Sequence, residues 1–532
     1  MWRRMHKATS GLAALLLIGM AGCVDLDVQN PNAPDAERAL ATPEDTEALI
    51  AGGYTTWANV LWYDGPSMGL SNVAFEHQAP WANQGMEFFA RIPRVPHANV
   101  AGGRDVAVLT WAWEQSYAAI NQVSSGLYAI DAGDVDLGTE GNLRARAFGK
   151  YVLGLAHGTV AMLYDSGFIF DETAECLTDK SCGSDPADVP LQGYQAVMTA
   201  ALGYFAEAAT LSAGATFTIP ATWMGQDVSP ATLIELAHSE RARMRAGVAR
   251  TPAERAAVDW DAVRTDAGLG VSADWDFVSD CVVLCDEALY YRNYPGWHMM
   301  SMFIIGMADV TGAYQTWMAV PHLSKREFIM QTPDTRFPQG ADETAQIAAP
   351  GSMFIIAQGG SRLIGSRPDR GTWRWSYYRN DVFTTSASNF EGADPMYTVK
   401  EMDALVAEAD YRDGAYGAVE TFVNSTRTLH GLNATNSGTA AGVNTSAVPR
   451  LPNNTVGDLW EMFKWEKRLE THEMGFLRIG WYFDGRGWGD LMEGSFYQIP
   501  VPFREMQLLQ QQPYNFGGVG GNSAAPVGTY GY

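Results

Sequence analysis

Apolar residues recur every three or four positions in some stretches of this chain and show no period in others. In WEQSYAAINQVSSGLYAI, residues Trp113, Tyr117, Ile120, Leu127 and Ile130 share one face of a predicted helix. The next periodic stretch, LRARAFGKYVLGLAHGTVAMLY, carries Phe148, Tyr151, Val152, Leu155 and Met162, with Gly149, Gly154 and Gly158 interleaved. Glycine costs about 1 kcal/mol relative to alanine inside a helix. Three of them therefore predict close backbone approach to another helix. Upstream, Thr42-Pro43-Glu44 is a helix start with proline in the first turn. Downstream, LQGYQAVMTAALGYFAEAATL pairs with ATLIELAHSERARMRAGVAR. MYTVKEMDALVAEADYRDGAYGAVETFVNSTRTLHGL turns on Asp413-Gly414 into an αα-hairpin. From Thr398 to Gly431 that unit has the length of a tetratricopeptide repeat, about 34 residues.

In the last periodic stretch, TVGDLWEMFKWEKRLETHEMGF, the spacing assigns Glu461, Lys464, Lys467, Arg468 and Glu470 to an outer face. Trp460, Phe463 and Leu469 fall on the inner one. The expected fold is mainly α: one helical-repeat domain over 42–516, interrupted by long Gly-, Pro- and aromatic-rich insertions near 62–110 and 268–396. The Gly-rich tail 517–532 has no helical period and is expected to lie over the surface or be mobile.

The ends change the picture. MWRRMHK, then an apolar run from Leu12 to Ile18, then Ala21-Gly22-Cys23, describe a secretory signal over 1–22. The cut site resembles a bacterial lipobox, with Met20 where Leu is usual. That implies a lipid on Cys23 and a flexible tether over 23–41. Val24, where retained lipoproteins have Asp, implies by resemblance to sorting rules an outer-membrane location. The net charge of −24 becomes three units more negative once Arg3, Arg4 and Lys7 are removed. Such a surface repels nucleic acid and anionic lipid. The remaining cysteines fall into two close pairs, and disulfides Cys176–Cys182 and Cys281–Cys285 are the simplest arrangement in an oxidising compartment. Zinc is the alternative, but the spacings are not those of a zinc ribbon and no histidine adjoins them.

Candidate chemistry is sparse. Gly65-Pro66-Ser67-Met68-Gly69 matches GxSxG without the strand–turn–helix context of a nucleophile elbow. Histidines are scattered, with no HExxH, and His157 reads as a packed side chain. Glu466, Glu470 and Glu473 read as solvated ion pairs on one helix face. Asp274 and Asp276, beside Trp275, could approach a sugar, although capping oxygens in a turn are the commoner use. No cofactor and no metal-ligand set is indicated.

Several segments in order resemble the SusD/RagB-like nutrient-uptake lipoproteins. DLDVQNPNAP resembles the start of that family, WEQSYAAINQV an early helix, and DPMYTVKEMDALVAEADYRDG with AVETFVNSTRTLHGL a late helical pair. WEKRLETHEMGFLRIGWYFDGRGWGDL followed by YQIPVPFREM resembles the end signature. Departures are the extra aromatic run between Arg478 and Phe483-Asp484, and LLQQQPYN where Asn-Pro is usual. The resemblance implies a tetratricopeptide-like fold, no catalysis, and a partner: a SusC-like TonB-dependent outer-membrane transporter. It implies capture of a nutrient, a glycan or a peptide; the rivals are an adaptor of the same transporter with no small ligand and, from another class, a secreted glycan hydrolase. It also implies that the aromatic–arginine cluster after the last helix is scaffold, with Arg478 and Arg486 available to Asp484 and Asp490, and arginine planes on Trp481 or Trp488.

Sugar sites combine flat rings with amides and charged groups. Two loops have that chemistry. NVAFEHQAPWANQGMEFFAR contains Trp81, Asn83, Gln84 and Arg91. YYRNYPGWHMM contains Tyr291, Arg292, Asn293, Tyr294, Trp297 and His298. The expected ligand contacts are Trp81, Asn83, Arg91, Tyr294 and Trp297. RGTWRWSYYRN, Arg370 to Asn380, is a third candidate. Its alternation also reads as a strand with one packed face.

Overall fold

The computed structural model describes residue 40 and residues 42–532, apart from 63–64, 84, 105, 180–188, 295–296, 359–364 and 384–389. The signal segment, Cys23 with nearly all of the tether, Gln84 and Cys182 lie outside the described residues.

The helices that position the site are α1 (Pro43–Ala58), α2 (Pro66–Val73), α3 (Val106–Asp131), α4 (Gly138–Leu163), α5 (Tyr194–Ser212), α6 (Pro230–Gly247) and α7 (Trp260–Gly268). They continue as α8 (Glu287–Asn293), α9 (Val399–Arg412), α10 (Tyr416–Arg427), α11 (Leu459–Glu470) and α12 (Gly480–Trp488). Starts are set by capping side chains: Thr42, Ser229, Thr398 and Asp458 each accept from a backbone N–H three residues on, and Pro43 and Pro230 fill positions where no N–H is needed. α1 packs on α3, α3 on α4, α4 on α5, α5 on α6, α6 on α7, α7 on α9, α9 on α10 and α10 on α11. That succession of neighbours is a helical solenoid, as the periodicity predicts.

The glycines of α4 explain how it sits at the centre. A Cβ at Gly149 would lie 2.9 Å from Leu127 of α3, at Gly154 2.8 Å from the Phe205 ring of α5, and at Gly158 2.4 Å from Sδ of Met244 of α6. Three glycines thus admit three different helices.

Short two-stranded ribbons occupy the insertions. β1 (His77–Gln78) pairs with β3 (Met299–Met300), β2 (Trp275–Ser279) with β6 (Gly392–Tyr397), and β4 (Phe354–Ile356) with β5 (Tyr378–Asn380), all antiparallel. One large apolar core runs through solenoid and insertions, and a smaller one joins Ala404, Val419, Phe422, Phe463 and Trp488. Among the described residues no helix is long and apolar enough to cross a membrane.

Two expectations need correction. The tail lies over the surface for much of its length, with Val519 and Val527 exposed, but its end turns inward: Tyr530 and Tyr532 are buried, and the Tyr530 hydroxyl donates to Glu461 at 2.9 Å. The charged side of α11 is not an outer face. Glu461, Lys464, Glu466, Lys467 and Arg468 are all buried, and Trp460 is only half-buried. Their partners come from distant segments. Lys464 and Arg468 meet Asp490 at 3.1 and 2.5 Å, Lys467 meets Asp484 at 2.8 Å, and Glu466 meets Arg336 at 2.9 Å. Periodicity treats a charge as solvent-facing and is blind to such pairing.

Candidate functional site

The rings and charges after α11 resolve first. Trp481 and Trp488 are buried, and their indole N–H groups donate to the Arg468 carbonyl at 2.7 Å and to Glu408 at 3.1 Å. Arg468 lies over Trp488 with 5.3 Å between guanidinium carbon and ring centre. The expected arginine pairings are different in detail. Arg478 pairs with Asp286 at 3.0 Å, and Arg486 donates to the carbonyls of Tyr497 and Gly247 at 2.8 Å. Asp484 is instead held by Lys467 and Arg255. Arg255 also pairs with Glu408 at 2.6 Å, both fully buried. Burial pushes the Glu408 carboxyl up, but Arg255, Lys467 and Arg412 more than reverse it, to about 2. Every group in this cluster has a structural partner, so it is scaffold.

The remaining candidate chemistry also reads as structure. Ser67 is buried in α2 and its hydroxyl donates to the Leu477 carbonyl at 2.7 Å, which is no nucleophile elbow. Asp274 accepts from the Val399 N–H at 2.8 Å at the start of α9. Asp276 lies in β2; burial, then Asp274, push its carboxyl up. His157 is buried between the Leu153 carbonyl and the Phe170 N–H. Glu466 and Glu473 are fully buried, which corrects their reading as solvated ion pairs. The Cys281–Cys285 disulfide is present, and Cys176 is also disulfide-bonded.

Of the five expected ligand residues, Trp81 and Tyr294 are exposed, at 41% and 39%. Asn83, Arg91 and Trp297 are half-buried. Trp81 stands on a tight turn: Ala82 has a φ of 52°, and its carbonyl accepts from Arg370 at 2.6 Å while that of Pro80 accepts from Thr372 at 2.9 Å. The Arg367 guanidinium lies 5.7 Å over the Trp81 ring and pairs with Asp369 at 2.7 Å. Gly371, at a φ of 76°, lets Arg91 lie against it, since a Cβ there would be 3.3 Å from the Arg91 Cβ. The third candidate segment thus buttresses the first loop. Within it Trp375 is buried with Trp373 stacked parallel on it at 5.6 Å.

The second loop builds a ring cluster. Tyr291 stacks on Trp297 at 5.0 Å, Tyr294 leans on Trp297 at 5.3 Å, and Tyr290 stacks on Phe390 at 3.8 Å. Phe390 escapes sequence reasoning because it is a lone ring in SNFEG with no period around it. Arg292, Asn293 and His298 turn inward and are buried, which corrects their place among possible ligand groups. Arg292 pairs with Glu76 at 2.8 Å.

The two loops share a root. In the β1–β3 ribbon His77 opposes Met300 and Gln78 opposes Met299. The chain therefore runs out to Trp81 and comes back from Trp297 at the same end of the ribbon. Two hollows, one among Arg243, Glu401, Lys467 and Asp484 and one among Tyr194, Met198, Leu202 and Val258, are lined by other residues.

No protein-family model matches the chain, and no curated relative is found. Among solved structures it is similar to a SusD homolog from Parabacteroides distasonis, with a TM-score of 0.51 and 12% identity over 83% of this chain and 84% of that one. It is also similar to a SusD superfamily protein from Bacteroides thetaiotaomicron, with a TM-score of 0.49 and 11% identity over 90% and 94%. The first likeness is one of fold, and it agrees with the solenoid described above.

Proposed function

We propose that this chain, which has the SusD-like fold, is a nutrient-binding lipoprotein of the outer-membrane surface. It captures an oligosaccharide on its two aromatic loops and delivers it to a SusC-like TonB-dependent transporter without chemical change. The observation that carries this reading is the pair of exposed ring groups at one end of the β1–β3 ribbon, with Trp81 under Arg367 and Tyr294 beside Trp297. Flat rings offer apolar area with little rotamer freedom to lose, and adjacent guanidinium and amide groups suit hydroxyls. The lipobox-like Ala21-Gly22-Cys23 supports anchoring, since acyl chains contribute about 0.8 kcal/mol per buried CH₂. Of the carboxylate pair weighed for sugar chemistry, Asp274 is engaged by a helix start and Asp276 lies in β2.

Calorimetric titration of the purified chain with a panel of soluble oligosaccharides and peptides tests the reading. Binding of a glycan that weakens in Trp81→Ala and Trp297→Ala supports it. Binding of peptides alone would favour a peptide nutrient. Release of reducing ends from the panel, or glycan binding indifferent to both substitutions, would refute it. Co-purification of a TonB-dependent transporter with the native chain tests the delivery step.

A further inference from the structure

Seven polar side chains meet beneath the β1–β3 ribbon. His77 comes from its first strand and Glu76 from the residue before it, Arg292 and Asn293 from α8, Asn380 from β5, and His472 and Glu473 from the turn after α11. None is more than 6% exposed. Nε2 of His77 lies 2.9 Å from Oε1 of Glu473, and Nδ1 of His472 lies 3.3 Å from Oε1 of Glu76. One donor atom from each of His77, His472 and Glu473 lies within 4.8 Å of the other two.

The two oxygens of Glu473 differ. Oε2 accepts from the side-chain amides of Asn293 and Asn380 at 2.6 and 2.8 Å. Oε1 faces Nε2 of His77 at 2.9 Å and Nε of Arg292 at 3.5 Å, whereas Nδ1 of His77 and Nε2 of His472 have no hydrogen-bond partner among the described residues. The carboxylate is clamped by one oxygen and presents the other to His77, with a ring nitrogen of His472 within 4.8 Å. Three buried donor atoms, one from each residue, thus gather within 4.8 Å, and a ring nitrogen on each histidine has no hydrogen bond although buried polar atoms nearly always have one. Charge points the same way. Arg292 pairs with Glu76 at 2.8 Å and stands 3.5 Å from Glu473, so two carboxylates face one guanidinium in a dry site.

We propose that His77, His472 and Glu473 bind a divalent transition metal of the zinc class. Two imidazole nitrogens and one carboxylate oxygen are the donors zinc takes, whereas magnesium and calcium prefer all-oxygen sets. Asn293 and Asn380 orient the carboxylate from behind, as outer partners do in metal sites. Glu76 remains the counter-ion of Arg292. The ion ties the ribbon that carries both aromatic loops to the end of α11, across almost the whole sequence, and so fixes the base of the ring platform. The assignment does not depend on the ligand of those loops.

The test uses tag-free full-length chain produced in medium supplemented with zinc or with cobalt, and purified without chelator. One metal per chain by elemental analysis after desalting is expected, with the ligand-field bands of tetrahedral cobalt in the second sample. His77→Gln and His472→Gln should each lose the metal. X-ray absorption at the zinc edge of the unsubstituted chain should show two imidazoles and no sulfur, a readout that stands even where a variant fails to fold. A metal-free chain from both media would overturn the proposal and leave a histidine proton as the balancing charge. Metal retained equally in both variants, or bound through oxygen or sulfur alone, would overturn it too.

Discussion

Gly154→Ala isolates the close approach of α4 and α5 on which the solenoid depends. Alanine in a helix is favoured over glycine by about 1 kcal/mol. At position 154 that gain is opposed, because the new Cβ would sit 2.8 Å from the Phe205 ring, where 3.4–4 Å is ordinary contact. Phe205 is fully buried and packed edge-on against Tyr151 at 5.6 Å, so the ring has no free volume to move into. Either the two helices part by several tenths of an ångström or the ring leaves its rotamer. Overpacking of this kind costs about 1–3 kcal/mol. Gly203 of α5 supplies the control: it is exposed, with nothing within 4 Å of a Cβ built there. The propensity gain is common to both substitutions and cancels between them. Gly154→Ala is therefore expected to be less stable than Gly203→Ala by about 1–3 kcal/mol. Urea unfolding followed by circular dichroism reads this as a separation of midpoints at equal slope. Equal midpoints, or a higher one for Gly154→Ala, would refute the claim that these glycines exist for helix approach. Gly158→Ala is the instructive intermediate, because its tighter contact is with the flexible Met244 thioether, which yields more readily than a ring.

Other outcomes follow from the same geometry. Arg255→Met should cost up to about 3–5 kcal/mol, because it takes from the buried carboxylate of Glu408 its closest cationic partner, leaving Arg412 at 3.1 Å and Lys467 at 3.8 Å, and deprives Asp484 of one of its two; urea midpoints measure it. Glu408 has its folded pKa depressed from 4.5 to about 2, so its contribution is complete above pH 4.5 and is lost as pH falls towards 2. Glu408→Gln should then lose less stability than the unsubstituted chain between those two pH values, which acid titration of the unfolding midpoint checks. Trp81→Ala should weaken glycan binding about tenfold, or ~1.4 kcal/mol, with an unchanged circular dichroism spectrum, because the ring is exposed and carries no core packing.

The fold was legible wherever a helix buries one apolar face and the neighbour in sequence covers it. WEQSYAAINQV and the 398–431 hairpin have that property: Trp113, Ile120 and Leu127 are all buried, and α9 and α10 turn at Asp413-Gly414. α11 lacks it. Its charges are inward because their partners are Asp484 and Asp490 after the turn and Arg336 from an insertion. Nothing in a window around WEKRLE carries those residues. The inward turn of the tail's end escapes sequence reasoning for a related reason, since two tyrosines separated by one glycine have no period yet are both buried.

The candidate site shows the same limit more sharply. In YYRNYPGWHMM every second or third residue has ligand-like chemistry, and composition ranks Arg292, Asn293 and His298 beside Tyr294 and Trp297. What separates them is direction. α8 turns Arg292 and Asn293 down to Glu76 and Glu473, while Tyr294, just past its end, points out. Those two acids are distant in sequence, Glu76 inside the first candidate loop and Glu473 in a stretch that reads as solvent-facing charge. The partners that decide a loop residue's direction are thus the residues a sequence window cannot contain. An aromatic loop over a buried charge network is accordingly best tested in pairs, one ring above with one charge below. Trp81→Ala should alter binding and leave stability untouched, whereas Asn293→Ala, which removes a clamp from Glu473, should lower stability by about 1–3 kcal/mol. If both substitutions moved both measurements, platform and foundation would be one unit, and the separation of ligand surface from scaffold drawn here would fail.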